Sequence, residues 1–499
     1  MYESVQYCFE IPRVLIRFAV MKLHEEAARC LLCQDAPCTK ACGKGDPARA
    51  VRAIRFDNAA FARKWLDGCT EDDLARAEGA CIHYDFPIRL REIAKALPEP
   101  APSSAAGQPS LAIDFCGIRC EHPFFLASSA VCTNYEMVAR AFEAGWAGVF
   151  YKTICMQEIR EVSPRFDAVG KPFSGFRNME QLSENPVDVD FDILRRLKLN
   201  YPSKVVVASI MGQKEEEWIE LAKMAEEAGC DAVELNFSCP QMRLSGMGSD
   251  VGQDPELVTF YTSYVKRNVK IPVIPKMTPN ITHIVQPAMG AYFAGADAIS
   301  AINTIKSVTL GEGSDVNGFQ TGSGYSGKAV KPIALRHILA MAKNPIMKNI
   351  QFSGIGGIET WRDALEFIQL GCRNVQVCTA VMQYGYRIID DLTAGLAAYM
   401  AGRGIESLDS LVGELLGKFK MPSDLDRDTV VFPVFDRSRC LGCGRCAVSC
   451  ADGGHQAIRF DAETRLPQLI GSKCVGCHLC RLVCPADAIG LSKRVPKKS

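Results

Sequence analysis

Excess charge of either sign is the first thing this sequence lacks: across 499 residues, 57 Lys and Arg stand against 57 Asp and Glu. A chain of zero formal net charge offers nucleic acid no electrostatic footprint, and the short basic stretch "KRVPKKS" reads as a solvated tail. Long apolar runs are missing as well. No stretch approaches the ~20 apolar residues of a membrane span. The N-terminal "VLIRFAVM" is interrupted by Arg17 and followed by "KLHEEAARC", not by a small-residue cleavage site. The expectation is therefore no nucleic-acid partner, no membrane and a cytoplasmic location. A genuine dinucleotide fingerprint is the third absence. "GSGYSGKA" (322–329) mimics both G-x-G-x-x-G and a P-loop, but it follows a polar loop instead of a strand. Ala329 also stands where a P-loop needs a magnesium-binding Ser or Thr. The stretch reads instead as a flexible glycine-rich loop.

Cysteine is what the sequence has in quantity. Twenty-three in a chain this long are not needed to staple a small core, and many fall in C-x-x-C spacings. That pattern favours metal thiolates in a reducing compartment over disulfides. The chain is also too long for one ordinary domain, and 48% hydrophobic residues supply ample core. The Pro-, Ala- and Ser-rich segment 98–110, "PEPAPSSAAGQPS", reads as a linker, and a second break falls at 418–438. Three regions follow: 1–105 with its own cysteines, 106–420, and a cysteine-dense block at 430–499.

The middle region alternates short apolar runs with amphipathic helical patterns, as parallel βαβ units do. Strands are predicted at "FFLASSA", "GVFYKTI", "VVVASIMG", "AVELNFS", "PVIPKMT", "AISAIN", "QFSGIGG" and "NVQVCTA". Helices such as "EMVARAFEAG", "EWIELAKMAEEAG" and "TWRDALEFIQLG" lie between them. Eight such units make a (β/α)8 TIM barrel the leading α/β architecture, ahead of a doubly wound open sheet. Barrel chemistry sits at the C-terminal ends of strands. Those ends hold Ser128, Lys152, Asn236 with Cys239, Lys276, Asn303 with Thr304, Gly356 with Gly357, and Cys378 with Thr379. A purely structural barrel has no need of such a set of cations, amides and glycines. The Gly356-Gly357 and Cys378-Thr379 pairs match the barrel phosphate site after strands 7 and 8.

The C-terminal block carries "CLGCGRCAVSC" (440–450) and "CVGCHLCRLVCP" (474–485), each C-x2-C-x2-C-x3-C. Three thiolates at x2 spacing converge on one cubane, and the fourth reaches the other cluster. Cys440, Cys443, Cys446 and Cys484 are thus predicted to hold one [4Fe–4S] cluster, and Cys474, Cys477, Cys480 and Cys450 the second, in a ferredoxin-like α+β domain. Paired zinc sites fit less well, since zinc takes four ligands in two pairs. One-electron carriers beside a barrel call for a group that converts single electrons into two-electron chemistry, and flavin is the common one.

The stretches "KTI", "NME", "ELNFSCPQ", "PKMTPN", "AINT", "SGKAVKPIALR", "GIGGIE" and "VQVCTA" carry a family resemblance. Residues 111–499 resemble dihydropyrimidine dehydrogenase, particularly the catalytic subunit of the bacterial two-subunit NAD-linked enzyme, and more distantly dihydroorotate dehydrogenase. The resemblance implies an FMN barrel that reduces the C5–C6 double bond of uracil or thymine. In it, hydride passes from FMN to C6 and an acid protonates C5. Cys239 occupies the proton-donor position; a thiol of pKa ~8.5 is mostly protonated near neutrality yet still yields its proton. Asn178, Glu180, Asn236, Phe237, Ser238, Asn303 and Thr304 would hold the pyrimidine, amides suiting its alternating donors and acceptors. Ser128, Lys152, Thr153, Lys276, Gly327, Ile355, Gly356, Gly357, Cys378 and Thr379 would contact FMN, with Lys276 stabilising its anionic reduced form. Gly327 would lie near the flavin phosphate, and Gly246, Gly248 and Gly252 would permit a mobile loop over the ring.

"CLLCQDAPCTKAC" (30–42) resembles the N-terminal cluster domain of the long, fused dihydropyrimidine dehydrogenases, a part that the bacterial catalytic subunit normally lacks. "DPARAVRAIRFDNAAFARKWL" reads as helix with Asp46 as N-cap and Pro47 at its first position. By the same resemblance, Cys30, Cys33, Cys38 and Cys81 form a complete ligand set for a third [4Fe–4S] cluster. Cys42 and Cys69 are left over from an incomplete fourth, and a degenerate helical or zinc-binding domain is the alternative. With no NAD(P) or FAD fingerprint, electrons would come from a separate NAD(P)H–FAD subunit, or from ferredoxin or flavodoxin, in a homo-oligomer or heterotetramer. A dihydroorotate or other cyclic-amide enzyme, and a non-catalytic electron-transfer subunit, are the rival readings.

Overall fold

The computed structural model describes residues 23–98, 109–169, 174–240, 242, 246–310 and 318–497. Eight strands form where the apolar runs stand: β1 Phe124–Leu126, β2 Gly148–Phe150, β3 Val205–Ile210, β4 Ala232–Asn236, β5 Val273–Lys276, β6 Ala298–Ala301, β7 Gln351–Ile355 and β8 Cys372–Val377. They pair in parallel in sequence order and close β8 onto β1, the expected (β/α)8 barrel. Every residue of β3 and β4 is buried, as strands covered on both faces require.

Local sequence starts and stops the helices around the barrel. Asn134 accepts from the Met137 N–H to open Tyr135–Ala144, and Gly145 closes it at φ 111°. Asp254 caps Pro255–Lys266 with proline at the first turn. Thr360 and Asp363 form a reciprocal capping box for Trp361–Gln369. That last helix buries Trp361, Ala364, Leu365 and Ile368, an i, i+3, i+4, i+7 stripe laid on the strands.

Two features escape hydrophobic periodicity. A hairpin, Ile113–Phe115 with Ile118–Cys120, meets the start of β7, where Gln351 Oε1 accepts from the Cys116 N–H at 2.9 Å. A four-stranded antiparallel sheet assembles Ile305–Ser307, Ser323–Ser326, Gly175–Asn178 and Phe166–Val169 from the chain that follows β2 and β6. The stretch expected to be a flexible glycine loop is therefore in part a strand. Its glycine is needed for close packing, because a Cβ on Gly324 would stand 2.5 Å from Thr304 Oγ1 and 3.1 Å from Asn178 Nδ2.

Short helices from Leu23 to Ala96 join the barrel in one compact unit, Leu23–Lys418; the chain from Phe419 on forms a second. Asp46 caps Pro47–Arg55 through the Arg49 N–H, as expected. The single long helix predicted over 46–66 is broken at Asp57, which takes φ 62°. The break turns the Asp57 carbonyl toward the barrel, where it accepts from Trp361 Nε1 at 3.0 Å. Deeper in this contact, buried Arg52 donates Nε to Asp391 Oδ2 at 2.6 Å. Burial pushes the Asp391 carboxyl up to about 6 against the pull of Arg52. Arg52→Ala leaves that carboxylate buried and unpaired, which should cost about 3–5 kcal/mol. Chemical denaturation checks this: a change under about 1 kcal/mol, the worth of an exposed pair, would show that the pair does not hold the helices to the barrel.

The second unit stands on three two-stranded ladders, Thr429–Val430 with Val495–Pro496, Pro433–Phe435 with Ile489–Leu491, and Ile458–Asp461 with Leu466–Leu469. Helices Arg445–Gly453 and Leu479–Leu482 complete it. Among the described residues, no helix is long and apolar enough to cross a membrane.

Candidate active site

One large cavity opens at the C-terminal ends of the barrel strands and beneath the four-stranded sheet. Ser128, Lys152, Thr153, Asn178, Glu180, Asn236, Cys239, Lys276, Asn303 and Thr304 line it, together with Gly327, Ile355, Gly356, Gly357, Cys378 and Thr379. Residues separated by up to 251 positions in the chain, from Ser128 to Thr379, thus share one space because parallel strands all deliver their C-terminal ends to the same rim.

Two of the sixteen-plus-two predicted barrel contacts fall elsewhere. β4 ends at Asn236, which lines the cavity; just past it the chain turns, the Phe237 N–H donating to the Leu235 carbonyl at 3.0 Å, and the Phe237 ring does not line the cavity. Phe237 is fully buried against Trp218, with ring centroids 5.1 Å apart. Ser238, also buried, donates Oγ to Asn236 Oδ1 at 2.8 Å and accepts from Asn303 Nδ2 at 2.9 Å. Its hydroxyl orients the two amides and does not line the cavity. Sequence reasoning also missed lining residues from the four-stranded sheet, Phe166, Phe176, Tyr325 and Ser326, and Lys328 just beyond it.

Beneath the cavity a polar layer runs through the barrel interior, where an apolar core is the rule. Thr153 Oγ1 accepts from Asn236 Nδ2 at 2.9 Å and meets Ser128 Oγ and Ser209 Oγ at 3.1 and 3.0 Å. Ser209 and Ser300 each donate to Glu234, both at 2.9 Å, and Gln376 Nε2 reaches Ser353 Oγ at 2.8 Å. Glu234, fully buried, lies 3.6 Å from Lys276 Nζ. A lone carboxylate within the apolar run "AVELN" was the available signal for this partner. A second cation has its own counter-ion: Lys152 pairs with Glu180, which Arg165 also holds at 2.9 Å. Burial would raise the Glu180 carboxyl, but Lys152 and Arg165 together keep it below its ordinary value. Cys378 also lines the cavity, and burial pushes its thiol up.

Cys239 is buried at the cavity wall, its carbonyl accepting from the Ser249 N–H at 2.9 Å. Gly248, at φ 57°, lets the chain pass so close that a Cβ would collide with that carbonyl; a Cβ on Gly252 would likewise strike the Phe237 carbonyl. Both glycines serve close packing, and Ser249–Gly252 is helical. Residues 241 and 243–245 of that loop lie outside the described residues.

Gly327, Gly356, Gly357 and Thr379 make a glycine-rich part of the cavity lining. Gly356 and Gly357 take φ 127° and 74°, and a Cβ on Gly357 would stand 2.8 Å from the Lys331 nitrogen and 2.9 Å from the Gly327 carbonyl. Only glycine fits at either position, since a Cβ would also crowd the Lys331 and Ala334 side chains. Hydroxyls (Thr379 Oγ1 to Ser326 Oγ, 3.0 Å) complete this part of the lining. A phosphate-bearing, planar cofactor such as FMN fits a cavity that combines these glycines with amides, lysines and thiols.

The clustered cysteines form three further pockets. Cys440, Cys443, Cys446 and Cys484 line one, and Cys450, Cys474, Cys477 and Cys480 another. In the first unit Cys30, Cys33, Cys38 and Cys81 line a third, walled by Pro37, Val51, Ile88 and Leu90. Backbone N–H groups point at several of the sulfurs, Ala457 to Cys450 and Ala488 to Cys484, both at 3.3 Å. In the C-terminal unit the two sets of four cysteines, three from one run and one from the other, fit a pair of multi-iron clusters.

Comparison with known proteins agrees with this architecture. Residues 110–400 match the family model described as dihydroorotate dehydrogenase, and residues 434–491 match a 4Fe-4S dicluster domain. The NAD-dependent dihydropyrimidine dehydrogenase subunit PreA of Escherichia coli (strain K12) is 50% identical over 397 residues, 78% of this chain and 97% of that protein. The chloroplastic dihydropyrimidine dehydrogenase (NADP(+)) of Arabidopsis thaliana is 37% identical over 65% of this chain and 81% of its own. The dihydroorotate dehydrogenase B (NAD(+)) catalytic subunit of Pyrococcus abyssi is 36% identical over 61% and 98%. With a family model spanning more than half its length and a relative matched almost end to end, the chain belongs to the dihydroorotate dehydrogenase family, on the side of the dihydropyrimidine dehydrogenases, and carries a 4Fe-4S dicluster domain after its barrel.

Proposed function

We propose that this protein is a dihydropyrimidine dehydrogenase catalytic subunit that reduces the C5–C6 bond of uracil or thymine, fed with electrons through iron–sulfur clusters by a separate NAD(P)H-oxidising flavoprotein in the cytoplasm. The observation that carries this reading is the shared cavity. Its lining includes the Cys239 thiol and the amides of Asn178, Asn236 and Asn303, together with Lys276 and the Gly356-Gly357 pair. FMN bound there supplies hydride and exchanges single electrons. Asn236 and Asn303, fixed by Ser238 and Thr153, present donors and acceptors to a cyclic imide edge. Cys239 delivers the proton to C5 and recovers one from solvent. The inner lysines already have carboxylate partners, Lys152 with Glu180 and Lys276 with Glu234. That pairing favours a neutral ring over the carboxylate of dihydroorotate. Anaerobically reduced protein mixed with a panel of pyrimidines tests the substrate: rapid flavin reoxidation by uracil or thymine is expected, and reoxidation by orotate alone would overturn the assignment.

Two [4Fe–4S] clusters belong to the C-terminal cysteines in the three-plus-one pattern, and a third to Cys30, Cys33, Cys38 and Cys81. About a fifth of this chain has no counterpart in the Escherichia coli relative, enough to hold such an added domain. A cubane that loses one of four ligands is labile, so Cys81→Ala should lower bound iron by ~4 Fe per chain, while Cys69→Ala leaves it nearly unchanged. Iron analysis with EPR decides; equal loss in both variants means that the ligand set is misassigned. NADH or NADPH alone should fail to bleach the purified chain, and added flavoprotein partner should restore reduction. Rapid bleaching by NADH without a partner would reveal a dinucleotide site in this chain.

A further inference from the structure

Two cysteines of the N-terminal helices stand apart from the pocket that the other four line. Cys42 ends the helix Pro37–Cys42, and Cys69 lies just before Glu71–Gly79. Their sulfurs are 3.6 Å apart, and both thiols donate to one acceptor, the Lys44 carbonyl, at 2.7 and 2.9 Å. Cys42 is buried, whereas Cys69 is partly open to solvent. Gly45, at φ 70°, makes room for the pair, since a Cβ there would stand 2.6 Å from Cys69 Sγ. Closing the gap to the ~2.05 Å of a disulfide needs less than the diameter of one atom.

From this geometry we propose that Cys42 and Cys69 are a reversible dithiol–disulfide pair that reacts with small-molecule disulfides. The steps balance without any bound metal. Cys69, the accessible sulfur, attacks the small disulfide as its thiolate, breaking that S–S bond and releasing one small thiol. The Cys42 thiolate then displaces the second small thiol from the mixed disulfide on Cys69. Two S–H bonds of the protein are replaced by one S–S bond, and the two electrons and two protons end on the released thiols. Burial, and next the neighbouring Cys42, push the Cys69 thiol up to about 12. Little thiolate is present near neutrality, so oxidation runs over minutes to hours. In a reducing compartment a bond of this kind is regulatory in character, not a permanent staple.

The bond would tie two segments that flank the four-cysteine pocket. Pro37–Cys42 carries Cys38, and Glu71–Gly79 leads to Cys81. Oxidation thus clamps the two sides of that pocket together, whether or not a cluster occupies it, so the proposal stands independently of the ligand assignment above.

The test uses the full-length, iron-loaded protein under anaerobic conditions. After hours with oxidised glutathione, free thiols are capped, and peptides are mapped by mass spectrometry with and without dithiothreitol. A Cys42–Cys69 linked peptide that dithiothreitol abolishes is expected in the wild type. Cys42→Ser should stop at a glutathione adduct on Cys69, and Cys69→Ser should show neither product. A wild type that accumulates the adduct without the link, or keeps both thiols free, overturns the proposal. So does loss of ~4 Fe per chain in either serine variant, because the two sulfurs would then be cluster ligands.

Discussion

Cys239→Ala should retain flavin and accept electrons from dithionite, yet reduce uracil ~10²–10⁴-fold more slowly, the span of a lost general acid. The thiol is placed for this by backbone contacts that the substitution leaves alone. The Ser249 N–H still meets the Cys239 carbonyl, and Gly248 still passes against it. Asn236 and Asn303 remain oriented through Ser238, so pyrimidine affinity should change little. The loss should therefore appear in kcat at saturating substrate and not in KM. Cys378 supplies the control, because its thiol lines the same cavity. Cys378→Ala should keep most of the activity, and a larger loss there than at Cys239 would move the acid to the β8 end.

Much of this arrangement was readable from the sequence, for identifiable reasons. The eight barrel strands are runs such as "VVVASI" and "FFL", continuous in apolar residues because both faces are covered, and their ends marked the cavity-lining side chains. Phe237 stands apart because a motif reads as a block, whereas the chain turns just past the end of β4 and the ring packs on Trp218. The four-stranded sheet was invisible for a different reason. Gly175–Asn178 and Ser323–Ser326 are built from Gly, Ser and Arg as much as from apolar residues, so no period-2 pattern stands out. Asp57, of a residue type that tolerates the left-handed conformation, breaks the helix at φ 62°, and its carbonyl accepts from Trp361, 304 positions away. Such long-range contacts leave no local trace.

Glu234 is the residue whose role the structure adds, and its test is paired with that of Lys276. Lys276→Met removes the cation proposed to stabilise the anionic reduced flavin, and loss of one such preorganised group costs ~10²–10³ in rate. The substitution should also lower the flavin midpoint potential, since the reduced, charged form loses more than the oxidised one. Glu234→Gln should move that potential the other way. Its carboxylate is fully buried 3.6 Å from Lys276 Nζ, and removing it leaves the cation less neutralised. Stability must be separated from this effect, because Lys276→Met strands a buried carboxylate. Ser209 and Ser300 still donate to Glu234, which limits the damage, and the double variant removes both charges together. Spectroelectrochemical titration of the four proteins gives the answer. Opposite shifts in the single variants, cancelling in the double, are expected if Lys276 and Glu234 set the flavin's charge environment as a pair. Shifts of the same sign in both would mean that the two residues support only the barrel and do not face the flavin electrostatically.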